Sequence, residues 1–236
     1  ALSSAASDVY KRQVDDIGNK WFIGHPINVH YDYEKIGIWQ NTSEDLAEME
    51  EFNKNGANFK SGDIKIWDNG DKKITEADRK ILGSTSPKFI ASMVNSISYK
   101  GFDFSIFLYA SVGAMLNNNI EYLNKPGRAN SIVIDYWTPT NPTNAYPRPS
   151  VDNASPAYVK SLQYEKADFI RVRNITLGYT LPEKLLKKIR ARKIRVYLSA
   201  NNPFVITGFS GIDPEGARGY TAPSASTWMG GVNLSF

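Results

Sequence analysis

The sequence predicts an all-β fold, a partial antiparallel β-barrel of the kind that crosses membranes, and three observations support this prediction. Residues 168–206 contain two stretches in which apolar and polar residues alternate, as in strands with one apolar and one polar face. Residues 88–112 repeat the alternation as a hairpin around a Lys-Gly turn. Near the end of the chain, Trp228, Val232 and Phe236 fall on one face. An amphipathic last strand that ends in an aromatic residue is typical of bacterial outer-membrane barrels.

The alternation also predicts which side chains meet lipid. In a membrane barrel the apolar face of each strand points outward and the polar face lines the lumen. Seven side chains are therefore predicted to look exposed although they are apolar: Phe89, Ile97, Phe104, Leu108, Ile194, Leu198 and Val232. Within residues 168–181 the apolar positions shift by one, from Ile170 to Ile175, which predicts a β-bulge near Arg173 and Asn174.

Composition narrows the classes of function. The net charge of +4, from 28 basic and 24 acidic residues, is spread along the 236 residues, so no concentrated basic patch indicates nucleic-acid binding. The chain has no cysteine and therefore no thiolate metal site. No apolar stretch approaches the length of a transmembrane helix, whereas barrel strands cross with about 10 alternating residues. Aromatic residues make up 12%, which suits either membrane-interface girdles or a sugar-binding surface.

No catalytic constellation is recognisable. The two histidines, His25 and His30, have no cluster of metal-ligating residues nearby. The sequence also lacks a nucleophile elbow, a phosphate-binding glycine loop and a Ser-His-Asp set. We therefore expect that the protein is not an enzyme, with no catalytic residue and no organic cofactor.

Several long motifs carry a family resemblance. The phrases ADFIRVRNITLGYTLPEKLL, IRVYLSANNPF and GIDPE resemble the C-terminal end of the SusC/RagA family of TonB-linked outer-membrane proteins. WFIGHPINVHYDYEKIGIWQ, GDIKIWDNGDKKITEADRKILGSTSPKF and SYKGFDFSIFLYASVGAMLNN match in family order, so the resemblance runs from about residue 19 to residue 236.

The resemblance implies an integral outer-membrane active transporter that imports oligosaccharides or peptides. Such a transporter takes energy from the TonB complex, pairs with a SusD-type surface lipoprotein and has a barrel of about 22 strands around a plug. The chain would supply about six C-terminal strands of that barrel. The plug and the TonB-contacting segment belong to parts of the family that lie outside this sequence.

The two ends of the sequence have different expected origins. Residues 1–13, ALSSAASDVYKRQ, resemble the translation of a sequencing adaptor and are expected not to belong to the fold. Residues 14–236 are expected to form the C-terminal part of the barrel. Residues 113–166 and 208–224 are long and polar and are expected outside the cell, whereas the turn at residues 100–101 is expected in the periplasm.

One loop has the pattern of a metal site. The family pattern at residues 62–86 resembles an EF-hand loop, which implies possible Ca²⁺ ligands at Asp68, Asn69, Asp71, the Lys73 carbonyl and Asp78. The loop departs from that pattern, because one residue is missing after Asp68 and Lys72 replaces a turn glycine. The alternative is a metal-free turn stabilised by Asx contacts.

A second class of function stays open from the residues alone. A soluble all-β carbohydrate-binding module would also explain the aromatic residues and a calcium loop. It predicts hairpins of similar length at both ends of the sheet and no aromatic residue at the C-terminus.

Overall fold

The computed structural model describes residues 14–118, 134–149, 156–188, 191–216 and 224–236, and residues 1–13 lie outside them. Two compact units divide the chain: unit 1 comprises Ala1–Ser86 and Met115–Glu165, and unit 2 comprises Pro87–Ala114 and Lys166–Phe236. The strands are β1 (Val29–Tyr33), β2 (Lys35–Ile38), β3 (Ile64–Ile66), β4 (Arg79–Ser84), β5 (Phe89–Tyr99), β6 (Phe102–Val112), β7 (Met115–Asn117), β8 (Tyr164–Lys166), β9 (Phe169–Thr180), β10 (Lys193–Thr207) and β11 (Thr227–Ser235). The α-helices are α1 (Ser43–Lys54) and α2 (Glu183–Lys188), and 3-10 turns occupy Glu76–Asp78 and Val159–Leu162.

The main element of unit 2 is a five-stranded sheet in the order β11-β10-β9-β6-β5, and every neighbouring pair is antiparallel. Among the described residues this sheet has five strands, close to the predicted six. The hairpin between β5 and β6 turns at Lys100 and Gly101, whose φ angles are 47° and 86°. Two consecutive positive φ values define the tight turn that matches the twist of a hairpin. The predicted hairpin is confirmed.

The cross-strand register places apolar residues in continuous rows on one face of this sheet. One row runs through Ile97, Phe104, Leu177 and Leu198 on four adjacent strands. Ile97, Leu177 and Leu198 in this row are at least half exposed. Seven side chains were predicted to be exposed. Four of them are exposed, namely Phe89, Ile97, Leu198 and Val232. The other three are half-buried, namely Phe104, Leu108 and Ile194. Each of these three pairs with an apolar residue of an adjacent strand: Phe104 with Leu177, Leu108 with Val172 and Ile194 with Leu234.

The predicted bulge is present in β9, which lies between β6 and β10. Phe107 pairs with Asn174, and Leu108 pairs with Val172, so Arg173 has no partner in β6. The register of β10 shifts at the same level, between Asn201 and Phe204. An extra residue moves the following side chains to the opposite face. This explains why the apolar positions of β9 change parity along the strand.

Unit 1 contains three two-stranded sheets, β1-β4, β2-β3 and β7-β8, and the helix α1. Thr42 caps α1 by accepting the Asp45 N–H at 3.2 Å. Two apolar clusters form its core: Trp39, Met49, Phe52 and Phe59 in one, and Ile38, Ile64, Ile66 and Trp137 in the other. Among the described residues, no helix is long and apolar enough to cross a membrane.

Candidate functional site

The acidic loop predicted to hold calcium brings three of its carboxylates together. One oxygen from each of Asp68, Asp71 and Asp78 lies within 4.8 Å of the other two. Asp78 is fully buried, Asp68 is half-buried and Asp71 is exposed. Carboxylates at this spacing could contribute to a calcium site, which takes about six to eight oxygen ligands.

Asn69 and Lys73, the other two predicted ligands, hydrogen-bond within the loop. The side-chain oxygen of Asn69 accepts the Asp71 N–H at 3.0 Å, and the Asp71 carboxylate accepts the Lys73 N–H at 2.9 Å. Asp68 accepts the Gly70 N–H at 3.0 Å in the same way. Contacts from a side chain to the backbone two residues on are Asx turns. The Asx-stabilised turn considered as the alternative to a calcium site is therefore part of the structure.

The carboxylates of Asp78 and Asp68 differ in the hydrogen bonds that their oxygens accept from the protein. Both oxygens of Asp78 accept backbone N–H groups, from Asn69 at 3.0 Å and from Thr75 at 2.6 Å, so this residue closes the loop by itself. Oδ1 of Asp68 is buried and has no hydrogen-bond partner within the described parts of the chain. A buried acceptor without a partner costs about 1–3 kcal/mol. A bound cation would satisfy that oxygen, so the residues present fit a metal ion at this atom.

Lys72 occupies the position where the pattern favours glycine. Its φ of 58° is left-handed, which costs a residue with a Cβ about 1–2 kcal/mol. Its ammonium group pairs with Glu48 of α1 at 2.8 Å, and the same carboxylate binds Lys65 at 2.6 Å. The hydrogen bond that Lys72 donates to Glu48 raises the pKa of Lys72. The loop is thus tied to α1 by a charge pair that the sequence spacing did not reveal.

The polar face of the five-stranded sheet carries a hydrogen-bonded network. The Asn174 amide donates to Asn201 Oδ1 at 2.8 Å and to Ser199 Oγ at 3.1 Å. The hydroxyls of Thr176 and Ser199 are 2.8 Å apart. These side chains project from the side opposite the apolar rows, so the two faces differ in chemistry as a barrel wall requires.

Close packing around two glycines fixes one row of that polar face. Arg195 donates two hydrogen bonds to Asp103, at 2.9 Å and 2.5 Å, across the intervening Gly178. A Cβ at Gly178 would lie 2.5 Å from both partners. In β11 a Cβ at Gly231 would lie 2.5 Å from the Tyr197 ring. The glycines therefore make room for the charge pair and the aromatic ring.

A buried charge cluster holds the loop after β10 against β9. The side chains of Arg171 and Asp213 are 3% and 5% exposed, and they form an ion pair of 2.6 Å. Glu215 contacts both Arg171, at 3.2 Å, and Arg173. The 3.2 Å contact is an ion pair without hydrogen-bond alignment, because Arg171 Nε has no hydrogen bond in the described residues.

Asp213 is also bonded to the loop backbone. It accepts the N–H groups of Glu215 at 2.9 Å and Ser224 at 2.8 Å. Burial acts to raise the pKa of Asp213, but these hydrogen bonds and the Arg171 charge lower it by more. Sequence reasoning missed this cluster. The available signal was an arginine on the polar face of β9 followed by an Asp-Pro-Glu loop.

Comparison with known proteins agrees with the motif resemblance. No protein-family model matches the chain. The chain is 33% identical over 196 residues to the TonB-dependent receptor P3 of Formosa agariphila, covering 81% of this chain and 19% of that protein. It is 31% identical over 179 residues to the TonB-dependent receptor SusC of Bacteroides thetaiotaomicron, covering 71% of this chain and 17% of that protein. The chain thus spans about a fifth of the length of these relatives.

A solved structure shares the fold. The structure of the RagAB peptide importer in the 'open-open' state superposes with a TM-score of 0.67 and 25% identity, over 95% of this chain and 24% of that chain. An antiparallel sheet with one apolar and one polar face, matched to these proteins, defines a partial barrel of a TonB-dependent receptor. The chain belongs to the SusC/RagA type of these receptors. Its relatives are receptors and an importer, so the prediction that it is not an enzyme is confirmed.

Proposed function

We propose that unit 2 forms part of the wall of an outer-membrane transporter, with its apolar rows in lipid and its polar face toward the transport path. The row of Ile97, Phe104, Leu177 and Leu198 carries this proposal. Large apolar side chains aligned across four strands, three of them at least half exposed, indicate an apolar surrounding, because soluble proteins rarely expose contiguous apolar patches beyond about 300–600 Å².

The transporter is proposed to be active and to work with other proteins. By analogy with the receptors that this chain resembles, it takes energy from the TonB complex through segments other than this one and pairs with a SusD-type surface lipoprotein. The cargo class is an oligosaccharide or a peptide, and the similarity to RagAB, a peptide importer, supports the peptide class. The acidic loop, residues 113–166 and the loop held by Arg171 are proposed to lie outside the cell, where the lipoprotein and the cargo arrive.

Uptake by cells tests this proposal directly. Cells that carry the full-length receptor with these residues should accumulate a labelled oligosaccharide or peptide mixture, and deletion of the receptor or of TonB should abolish the accumulation. An affinity tag on the receptor should recover a SusD-type lipoprotein. Uptake that persists without TonB would contradict active transport. Recovery of the receptor from the soluble fraction would favour the carbohydrate-binding module.

We propose a structural calcium ion as a second function, located in the acidic loop. The unpartnered Oδ1 of Asp68 favours it, together with the nearby carboxylates of Asp71 and Asp78. The ion would hold the loop and supply no chemistry. Its ligands would be the three carboxylates, with the Asn69 side-chain oxygen and the Lys73 carbonyl as the further candidates.

Limited proteolysis of the full-length receptor tests the ion. Calcium should protect the loop from cleavage, and Asp71→Asn or Asp78→Ala should remove this protection. Glu50→Gln, at an exposed residue of α1, is the matched control and should leave the protection unchanged. Equal cleavage with calcium and with chelator would leave the Asx-stabilised turn as the complete account of the loop.

A further inference from the structure

A cleft in unit 1 has the features of a ligand site and takes no part in the functions proposed above. It is an open cavity of about 410 Å³ at the ends of β1 and β4. Tyr33 and Arg79 are directly paired across these two strands. The third wall is the segment Tyr158–Ser161, which enters the 3-10 turn. Pockets for small ligands are concave, with apolar walls and a few placed polar groups.

Cations outnumber anions along the cleft. Lys20, Arg79 and Lys160 line it, together with one carboxylate, Asp32. Both oxygens of Asp32 are already used, because Oδ1 accepts the Tyr33 N–H at 2.9 Å and Oδ2 accepts the Tyr164 hydroxyl at 2.7 Å. The cleft therefore favours an anion from outside.

The Arg79 guanidinium can take a further partner. It forms an ion pair with Glu76 through Nη1 at 3.2 Å, and the Glu76 side chain is 83% exposed, so water weakens this pair. The Arg79 side chain lines the cleft and is itself 34% exposed. Its Nε is buried, so an anion in the cleft would meet the Nη atoms of the guanidinium. Guanidinium N–H groups are strong donors to the oxygens of a carboxylate.

Aromatic rings form the apolar walls around this donor. The rings of Tyr33 and Tyr158 meet edge to face with centroids 5.1 Å apart, and the Arg79 guanidinium lies 5.2 Å from the Tyr33 ring centre. Tyr158 has φ 60° and ψ 19°, a left-handed conformation that is costly for a residue with a Cβ. Strained residues of this kind cluster at ligand sites, where the surrounding structure holds them in place.

We propose that this cleft binds a carboxylate-bearing ligand. Arg79 forms an ion pair with the carboxylate, and Lys160 adds positive charge. The rings of Tyr33 and Tyr158 pack against the carbon skeleton of the ligand. The carboxylate could belong to a uronic sugar or to the end of a peptide, and both share this chemistry. The inference concerns binding alone and does not depend on transport.

Calorimetric titration of the detergent-solubilised full-length receptor tests the site with two matched pairs of probes. Digalacturonic acid is compared with its neutral dimethyl ester, and N-acetyl-trialanine is compared with N-acetyl-trialanine amide, which is neutral. At least one carboxylate probe should bind, and its neutral counterpart should not. The probe that binds shows whether the carboxylate of the ligand belongs to a uronic sugar or to the end of a peptide. Binding should weaken at higher salt, because the contact is between charges.

Variants then locate the binding. Arg79→Gln should lower the affinity for the carboxylate probe about tenfold or more, because it removes a partly desolvated charge pair. Lys160→Gln, at an exposed residue, should weaken binding by a smaller factor. Lys54→Gln removes the same charge from an exposed residue of α1 that does not line the cleft, and it should leave binding unchanged. Absence of binding by both carboxylates, equal binding of the neutral probes, or unchanged affinity in both cleft variants would overturn the proposal.

Discussion

At the scale of single residues, the charges that matter most in this chain are those that the fold buries. Arg171 and Asp213 are 42 positions apart and are almost completely buried together. The desolvation cost of two buried charges is offset only while both are present and hydrogen-bonded. The pair therefore anchors the loop after β10, and loss of either partner should destabilise the fold.

We predict that Asp213→Ala detaches this loop and destabilises the receptor by about 3–5 kcal/mol, because Arg171 keeps a buried charge without its main partner. Proteolysis of the loop and the melting temperature of the full-length receptor measure the two effects. Replacing Glu50, which is exposed and pairs with Lys54, should be nearly neutral. A loop as resistant in the variant as in the parent would contradict the holding role.

The same contact predicts a pH dependence. The pKa of Asp213 is lowered in the folded state, so its stabilising contribution is fully present above the unfolded value of about 3.9. The contribution should disappear as the pH falls from about 4 through the lowered pKa of the folded state. Hydrogen exchange of the loop between neutral and acidic pH should show protection lost only in that window. Loss of protection already between pH 7 and 5 would assign the effect to another group.

At the scale of elements, the alternation predicted the strands of unit 2, their faces and the bulge, because each depends on residues close in sequence. The bulge at Arg173 follows from the one-residue shift of the apolar positions within β9. The cleft could not be predicted in this way, because Tyr33, Arg79 and Tyr158 come from three distant segments. The acidic loop was predicted as a set of ligands, but the burial of Asp78 and its two backbone contacts depend on the folded loop.

Strand β11 offers a prediction with an internal control. Gly231 and Gly230 are adjacent, but only a Cβ at Gly231 would collide with Tyr197, whereas the nearest atom to a Cβ at Gly230 is 3.9 Å away. We expect Gly231→Ala to destabilise the sheet by about 1–3 kcal/mol through overpacking, and Gly230→Ala to be nearly neutral. Urea unfolding of the receptor in detergent compares the two. Equal effects would mean that Tyr197 has room to move.

At the scale of the whole molecule, the 236-residue chain alone should not behave as a stable soluble protein. Within the described residues, β5 and β11 each pair on one side only, which leaves rows of unpaired backbone groups at both edges of the sheet. The apolar rows would also face water. We expect the chain expressed by itself to collect in inclusion bodies. A monodisperse, soluble monomer with a cooperative unfolding transition would support the carbohydrate-binding module.

The two-faced sheet is the central claim, and spin labels on adjacent residues test it most directly. The chain has no cysteine, so single cysteines at Thr176, Leu177, Tyr197 and Leu198 can each carry a nitroxide in a full-length receptor whose other cysteines, if any, are replaced. In bilayers, Leu177 and Leu198 should be accessible to oxygen and protected from a water-soluble nickel complex, whereas Thr176 and Tyr197 should show less oxygen accessibility. Nickel access to Leu177 and Leu198 equal to that of a water-exposed residue would contradict the membrane wall.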